Sequence, residues 1–153
     1  MNFKSVFYNK CDFNLTQRKL GEGAFGSVYI TERIRDKKEF AVKILKTDKG
    51  FDGSQQMLFM RESTILHKLH HPAIVQFYGI NLESLIYDGM LQPSVITEYL
   101  SNGSLRTILY GKKTKTLTPT NKYIILLGIA NAMKYLHNNN VIHRDLKPDN
   151  ILL

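Results

Sequence analysis

A single cysteine, Cys11, stands in a chain of 153 residues. One thiol cannot build a disulfide framework or a cysteine-based metal site, and its isolation favours a reducing compartment. The first residues, Met1 to Lys10, carry lysines and aromatics but no apolar core of the kind that marks a secretory leader. The longest apolar run, Ile124 to Ala130, is too short to span a bilayer. Neither secretion nor membrane insertion is expected, and the cytoplasm is the default compartment. Internal repeats and low-complexity segments are also missing, so the aromatic and aliphatic content is free to form one packed core. The formal charge of +8 includes Lys112, Lys113 and Lys115, clustered in one turn. A lysine-rich turn between helices is ordinarily a solvated surface, so no nucleic-acid or membrane partner is expected, and the oligomeric state is left open.

The two halves of the chain read differently. Phe13-Asn14-Leu15-Thr16, Ser27-Val28-Tyr29-Ile30-Thr31 and Glu39 to Leu45 are strands by alternation and β-branched content, with Arg35 to Lys38 as the polar turn between the last two. After a loop with Gly50, Asp52, Gly53 and Ser54, Gln55 to Leu69 reads as a helix; Ile74 to Ile80 and Pro93 to Glu98 are further strands. Ser104 to Leu109 is a short helix. Thr118-Pro119 places an N-cap before a proline at the first helical position and opens a long helix to His137. From Tyr123 to Leu136 that helix is apolar nearly all round, as if it belonged in a core. The short helix before it is too small to cover it, so a contiguous apolar patch is expected.

Leu20-Gly21-Glu22-Gly23-Ala24-Phe25-Gly26-Ser27-Val28 contains G-x-G-x-x-G. That string also opens a helix in dinucleotide-binding folds. Here a β-branched, alternating segment follows, which makes it a strand-turn-strand flap, and the Gly-Lys-Ser/Thr ending of a P-loop is absent. Gly21, Gly23 and Gly26 would let backbone amides approach an anion without side chains in the way. Further on, Leu58, Ile65, Leu66 and Leu69 share one helical face, with Glu62 inside the stripe. A carboxylate buried without a partner costs about 3–5 kcal/mol, so a cation is expected beside it, and Lys43 on the preceding strand is the natural candidate. The bland alternative has Glu62 beside Arg61 or in solvent.

His143-Arg144-Asp145-Leu146-Lys147-Pro148-Asp149-Asn150 fits H-R-D-x-x-x-x-N. Four fixed types at about one in twenty each arise by accident in a chain this long on the order of one time in a thousand. With the glycine string followed by Val28, and with Phe40-Ala41-Val42-Lys43, in this order, the chain resembles a eukaryotic protein kinase from about Phe13 to its last residue. The resemblance implies an α+β fold. A lead-in at 1–12 precedes an antiparallel β-sheet amino-terminal lobe with one helix (about 13–98), a hinge (about 98–103) and the beginning of a helical carboxyl-terminal lobe (104–153).

The resemblance also implies ATP and Mg²⁺ as cofactors and a protein serine or threonine hydroxyl as substrate. Asp145 would orient and deprotonate that hydroxyl, Lys147 would neutralise the transferred phosphoryl group, and Asn150 would ligate Mg²⁺. Lys43, oriented by Glu62, would reach the α- and β-phosphates beneath the flap of Gly21, Glu22, Gly23, Ala24, Phe25 and Gly26. Leu20, Val28, Ala41 and Leu152 would sandwich the adenine, with Thr97 as gatekeeper and the Glu98 carbonyl and Leu100 amide reading its edge. His143 would be structural, Arg144 a partner for a phosphorylated activation loop, and Asp149 would face solvent.

Lys147 is similar to the serine/threonine kinases, while Glu98 to Leu105 and Gln76-Phe77-Tyr78-Gly79 resemble the tyrosine-kinase-like group. The family's Asp-Phe-Gly and Ala-Pro-Glu are missing. A carboxyl-terminally truncated domain, weakly active or inactive alone, is therefore expected. The alternative is a noncatalytic nucleotide-binding or interaction module.

Overall fold

The computed structural model describes residues 7–23, 26–46, 51–87, 90–111 and 117–153. They form two compact units, Met1–Leu69 with Gln76–Tyr99, and His70–Val75 with Leu100–Leu153.

The first unit is an antiparallel sheet of β1 (Phe13–Gly23), β2 (Gly26–Arg33), β3 (Glu39–Leu45), β4 (Phe77–Tyr87) and β5 (Met90–Glu98), in the order β1-β2-β3-β5-β4. Successive side chains in a strand point to opposite faces, and residues paired across strands share one. β3 shows the rule plainly: Phe40, Val42 and Ile44 are buried on one face, while Ala41 and Lys43 lie on the other. The Phe40 face carries Val42 and Ile96 and is covered from the amino-terminal side by Tyr8 and Phe13. These rings meet edge to face, Tyr8 on Phe13 at 5.4 Å and Phe13 on Phe40 at 5.6 Å. The Tyr8 hydroxyl also lies 2.6 Å from the Ser94 hydroxyl, and its amide donates to the Ile80 carbonyl.

Helix α1 (Gly53–Lys68) starts at Asp52, whose carboxylate accepts the Gln55 amide at 2.9 Å. Its buried face differs from most of the one its leucines predict. Phe59 and Ser63 face inward, whereas Leu58 is 58%, Ile65 38% and Leu66 42% exposed, and of the predicted stripe Leu69, at the helix end, is buried. Phe59 packs with Phe77 and Ile80 beside Phe51 and Met60, and the small Ser63 follows it on the same face. An aromatic ring buries more apolar area than a leucine, and this one outweighs the leucine stripe. Glu62 consequently lies in solvent.

β4 begins at Phe77, later than the strand expected from Ile74. The Ile74 amide is spent on the His71 carbonyl, closing a turn through Pro72 and Ala73 that prevents sheet pairing there.

In the second unit, α2 (Leu105–Tyr110) is capped by the Ser104 hydroxyl, and α3 (Pro119–Asn138) by the Thr118 hydroxyl, which accepts the Asn121 amide at 3.1 Å. Tyr135 of α3 holds residues 70 and 71. Its hydroxyl accepts the His70 amide at 3.0 Å, and its ring lies 5.0 Å from the His71 ring. Ala132 and Leu136 are the buried residues of α3, while Tyr123, Ile124, Leu126 and Leu127 are exposed, as the all-round apolar pattern anticipates. Among the described residues, no helix is long and apolar enough to cross a membrane. The Lys112, Lys113 and Lys115 turn lies outside the described residues.

Candidate active site

In the first unit, strand register brings the sequence-predicted residues onto one sheet face. Val28 pairs with Lys43 and Lys43 with Val95, while Ala41 pairs with Thr97. Val28, Ala41, Lys43 and Thr97 therefore share the face opposite the buried Phe40, Val42 and Ile44. The flap extends this surface. β1 runs to Gly23, which pairs with Gly26 across the turn; Ala24 and Phe25 lie outside the described residues.

The three glycines do different work. At Gly26, φ is +139° and a Cβ would stand 2.0 Å from the Ile44 carbonyl oxygen, so the backbone itself requires glycine. At Gly21 and Gly23 a Cβ would meet nothing within 4 Å. No neighbour in the fold forbids a side chain there, and the open space over both residues fits an anion brought close to the backbone. Leu20, just before, is 45% exposed. Glu22 is held by two cations, with Lys19 Nζ 2.5 Å from Oε2 and Lys46 Nζ 2.5 Å from Oε1. Hydrogen bonds from Lys19 first and Lys46 second pull its carboxyl down to about 2.

Glu62 is exposed and makes no ion pair to Lys43 among the described residues. The structure thus places both residues in this unit without joining them, because the turn of α1 that buries Phe59 directs Glu62 outward. At the end of β5, the Thr97 hydroxyl donates to the Glu98 carbonyl at 3.2 Å. Glu98 is fixed from both sides, its amide donating to the Gln76 carbonyl at 2.9 Å and its carboxylate accepting the Gln76 amide at 2.7 Å.

In the second unit, the chain after Tyr99 turns at Gly103, φ +76°, whose amide donates to the Leu100 carbonyl. The last residues dock on this turn. Leu105 donates to the Ile151 carbonyl at 2.7 Å, Leu153 to the Gly103 carbonyl at 3.0 Å, and Leu152 bridges to Ser104.

The loop from His143 to Asn150 is organised around Asp145. Its amide donates to the His143 carbonyl at 2.9 Å and lies 3.3 Å from His143 Nδ1. His143 thus props the loop through its backbone and ring. Arg144, between them, adopts φ +64°, a left-handed conformation that non-glycine residues enter at a cost of about 1–3 kcal/mol when the surrounding bonds dictate it. The Asp145 carboxylate accepts Lys147 Nζ at 2.9 Å and Asn150 Nδ2 at 2.9 Å, and Asn150 Nδ2 also reaches the Asp145 carbonyl at 2.8 Å. Lys147 first and Asn150 second hold the Asp145 carboxyl below the usual carboxylate range, and Asp145 in turn raises the Lys147 ammonium.

This arrangement offers an ionised acceptor, a cation and an amide oxygen on one short loop. Asn150 spends its N–H donors on Asp145, which leaves Oδ1 as the atom it can present to a hard cation. Among the described residues no group of three or more His, Cys, Asp or Glu could hold a metal. Magnesium fits such a sparse protein donor set when phosphate oxygens and waters complete its shell.

Two contacts had no signal in the sequence. Asp149, expected in solvent, is 43% exposed yet pairs with Arg106 at 3.5 Å. The Glu22 to Lys46 contact joins residues 24 positions apart and follows from strand register alone.

Comparison with known proteins agrees with this geometry. The protein kinase domain family matches residues 15–153. The chain is 39% identical over 136 residues to the serine/threonine-protein kinase TNNI3K of Mus musculus, covering 88% of this chain and 15% of that protein. It is 36% identical over 149 residues to the serine/threonine-protein kinase CTR1 of Arabidopsis thaliana, covering 94% and 17%. It is also 36% identical over 141 residues to the meiosis-specific serine/threonine-protein kinase mek1 of Schizosaccharomyces pombe, covering 92% and 29%. The chain thus spans less than a third of the length of these relatives. The sheet, the loop around Asp145 and these matches together establish that the chain belongs to the protein kinase family, among relatives of the serine/threonine type.

Proposed function

We propose that this chain supplies the nucleotide-binding and hydroxyl-activating parts of a serine/threonine kinase of the tyrosine-kinase-like group. Such an enzyme moves the γ-phosphate of Mg-ATP to a serine or threonine hydroxyl of a protein, and the cytoplasm is its expected compartment. The observation that carries the reading is the bonded cluster of Asp145, Lys147 and Asn150.

Asp145, kept ionised by its two partners, accepts a hydrogen bond from the incoming hydroxyl and aims its oxygen. A carboxylate with a lowered pKa is a weak base, so its larger contribution is orientation, with the proton passing to it late. Lys147 places positive charge beside the group being transferred, where negative charge develops. Asn150 Oδ1 would hold Mg²⁺, which when bound screens the phosphates and keeps them in one geometry. In the first unit, Gly21 and Gly23 present backbone amides to phosphate oxygens, Lys43 supplies their counter-charge, Leu20, Val28 and Ala41 give the adenine apolar contact, and Thr97 takes the gatekeeper position. The Glu98 carbonyl and Leu100 amide are assigned to the adenine edge and Leu152 to apolar contact with the ring. Glu62 would have to turn inward to orient Lys43.

The 153 residues contain no Asp-Phe-Gly. The carboxylate that would join Asn150 on the cation is therefore missing from them, and alone they bind nucleotide but transfer phosphate poorly. The exposed apolar face of α3 gives one observation in favour of the alternative, a noncatalytic interaction module. Assay of the whole protein with Mg-ATP and a serine- and threonine-rich acceptor separates the two. Phosphoserine or phosphothreonine that disappears in Asp145→Asn supports the kinase, while an inert wild type supports the module.

A further inference from the structure

The flap needs an anchor that its glycines cannot supply. At Gly21 and Gly23 no side chain packs, and a Cβ there would touch nothing. Glu22, between them, has the side chain that can tie this end of β1 down. It pairs across the strands with the buried Ser27, which in turn pairs with Ile44 of β3, so all three lie in one row across the sheet. Lys46, two residues beyond Ile44, reaches back across β2 to Glu22 Oε1 at 2.5 Å. Lys19 takes the other oxygen at 2.5 Å while its Nζ lies 5.9 Å from the Tyr29 ring centre. Tyr29 pairs with Lys19 and with Val42, which identifies the face as the Phe40 face, opposite Lys43.

Lys46 and Lys43 are thus separated by the sheet. Tethering Glu22 does not draw the phosphate lysine away from a nucleotide. We propose that Glu22 is a positioning residue, a latch that ties the glycine flap to the end of β3 through Lys46 while Lys19 fixes the orientation of its carboxylate. The latch rests on the nucleotide reading above and deepens it, because its purpose is to hold the Gly21 and Gly23 amides where phosphate oxygens meet them. Exposed ion pairs are individually weak. Where the described residues of the flap have no second side-chain tether to β3, a weak pair still decides how much of the time the flap is docked.

The test measures ATP and adenosine affinity by calorimetry for the unsubstituted chain, Glu22→Gln, Lys46→Met and the double variant. The latch acts on phosphates, so the ratio of ATP to adenosine affinity is the decisive quantity. That ratio is expected to fall about threefold to tenfold in Glu22→Gln and in Lys46→Met, with the double variant no worse than either. An unchanged ratio, an equal loss for both ligands, or additive losses in the double variant overturns the latch while leaving nucleotide binding intact. Failure of the unsubstituted chain to bind ATP instead overturns the nucleotide reading, and the latch with it.

Discussion

Asn150 donates its side-chain amide to Asp145 twice, to the carboxylate at 2.9 Å and to the backbone carbonyl at 2.8 Å. One side chain therefore closes the loop on itself and fixes which of its own atoms faces outward. Replacing it by Ala removes both the closure and Oδ1. Magnesium-dependent ATP binding of Asn150→Ala is expected to weaken at least about tenfold, read as the Mg²⁺ concentration at half-saturation in the presence of ATP. An unchanged Mg²⁺ requirement would remove Asn150 from the cation site.

Gly26 and Gly21 should respond in opposite ways to the same change. Gly26→Ala forces a Cβ toward the Ile44 carbonyl at φ +139° and is expected to cost about 1–3 kcal/mol in urea unfolding. Gly21→Ala has open space around it and should leave the unfolding midpoint nearly unchanged while lowering ATP affinity. Equal stability losses in the two variants would contradict the distinction between backbone and ligand requirements.

The orientation of α1 is testable by truncation of adjacent residues. Phe59→Ala empties a site lined by Phe77 and Ile80 and should cost about 3–5 kcal/mol. Leu58→Ala, at a position 58% exposed, should cost about 0.5 kcal/mol or less. The reverse order would restore the leucine face as the buried one.

Acid should loosen the first unit in a defined window. Arg33 donates Nε and Nη2 to the two oxygens of Asp36 and holds that carboxyl at about 2 against an ordinary 3.8. Glu22 is likewise at about 2 against 4.5. Both carboxyls titrate lower in the folded chain, so the unfolded chain binds more protons as pH falls. Their stabilisation is complete above the ordinary carboxylate values and disappears as pH drops toward about 2. Urea midpoints measured from about pH 6 to pH 2 should fall through that window, and less steeply in Asp36→Asn and Glu22→Gln. Variant slopes equal to the wild type would show that these pairs do not carry the acid response.

Much of this molecule was legible in its sequence where a local rule had no competitor. β3 alternates strictly from Glu39 to Leu45 and folds with those bounds. Thr118-Pro119 caps α3, and Ser104 caps α2. The Asp145 loop was legible because its chemistry is concentrated in consecutive residues. The inward face of α1 was not, since three of the four apolar residues at helical spacing, Leu58, Ile65 and Leu66, lost to one aromatic that the sheet beneath, with Phe77 and Ile80, selected. The Glu22 tether was hidden for another reason. Its partners meet through the register of three strands, which no spacing along the chain encodes.

The central claim is that these residues bind Mg-ATP through Lys43 and the glycine flap. Calorimetric titration of the chain with Mg-ATP, beside Lys43→Met, tests it most directly. Saturable one-to-one binding that weakens at least about tenfold in Lys43→Met is the predicted result, the loss corresponding to one charge-assisted contact. Absence of binding by the unsubstituted chain, or equal affinity in the two proteins, would contradict the account.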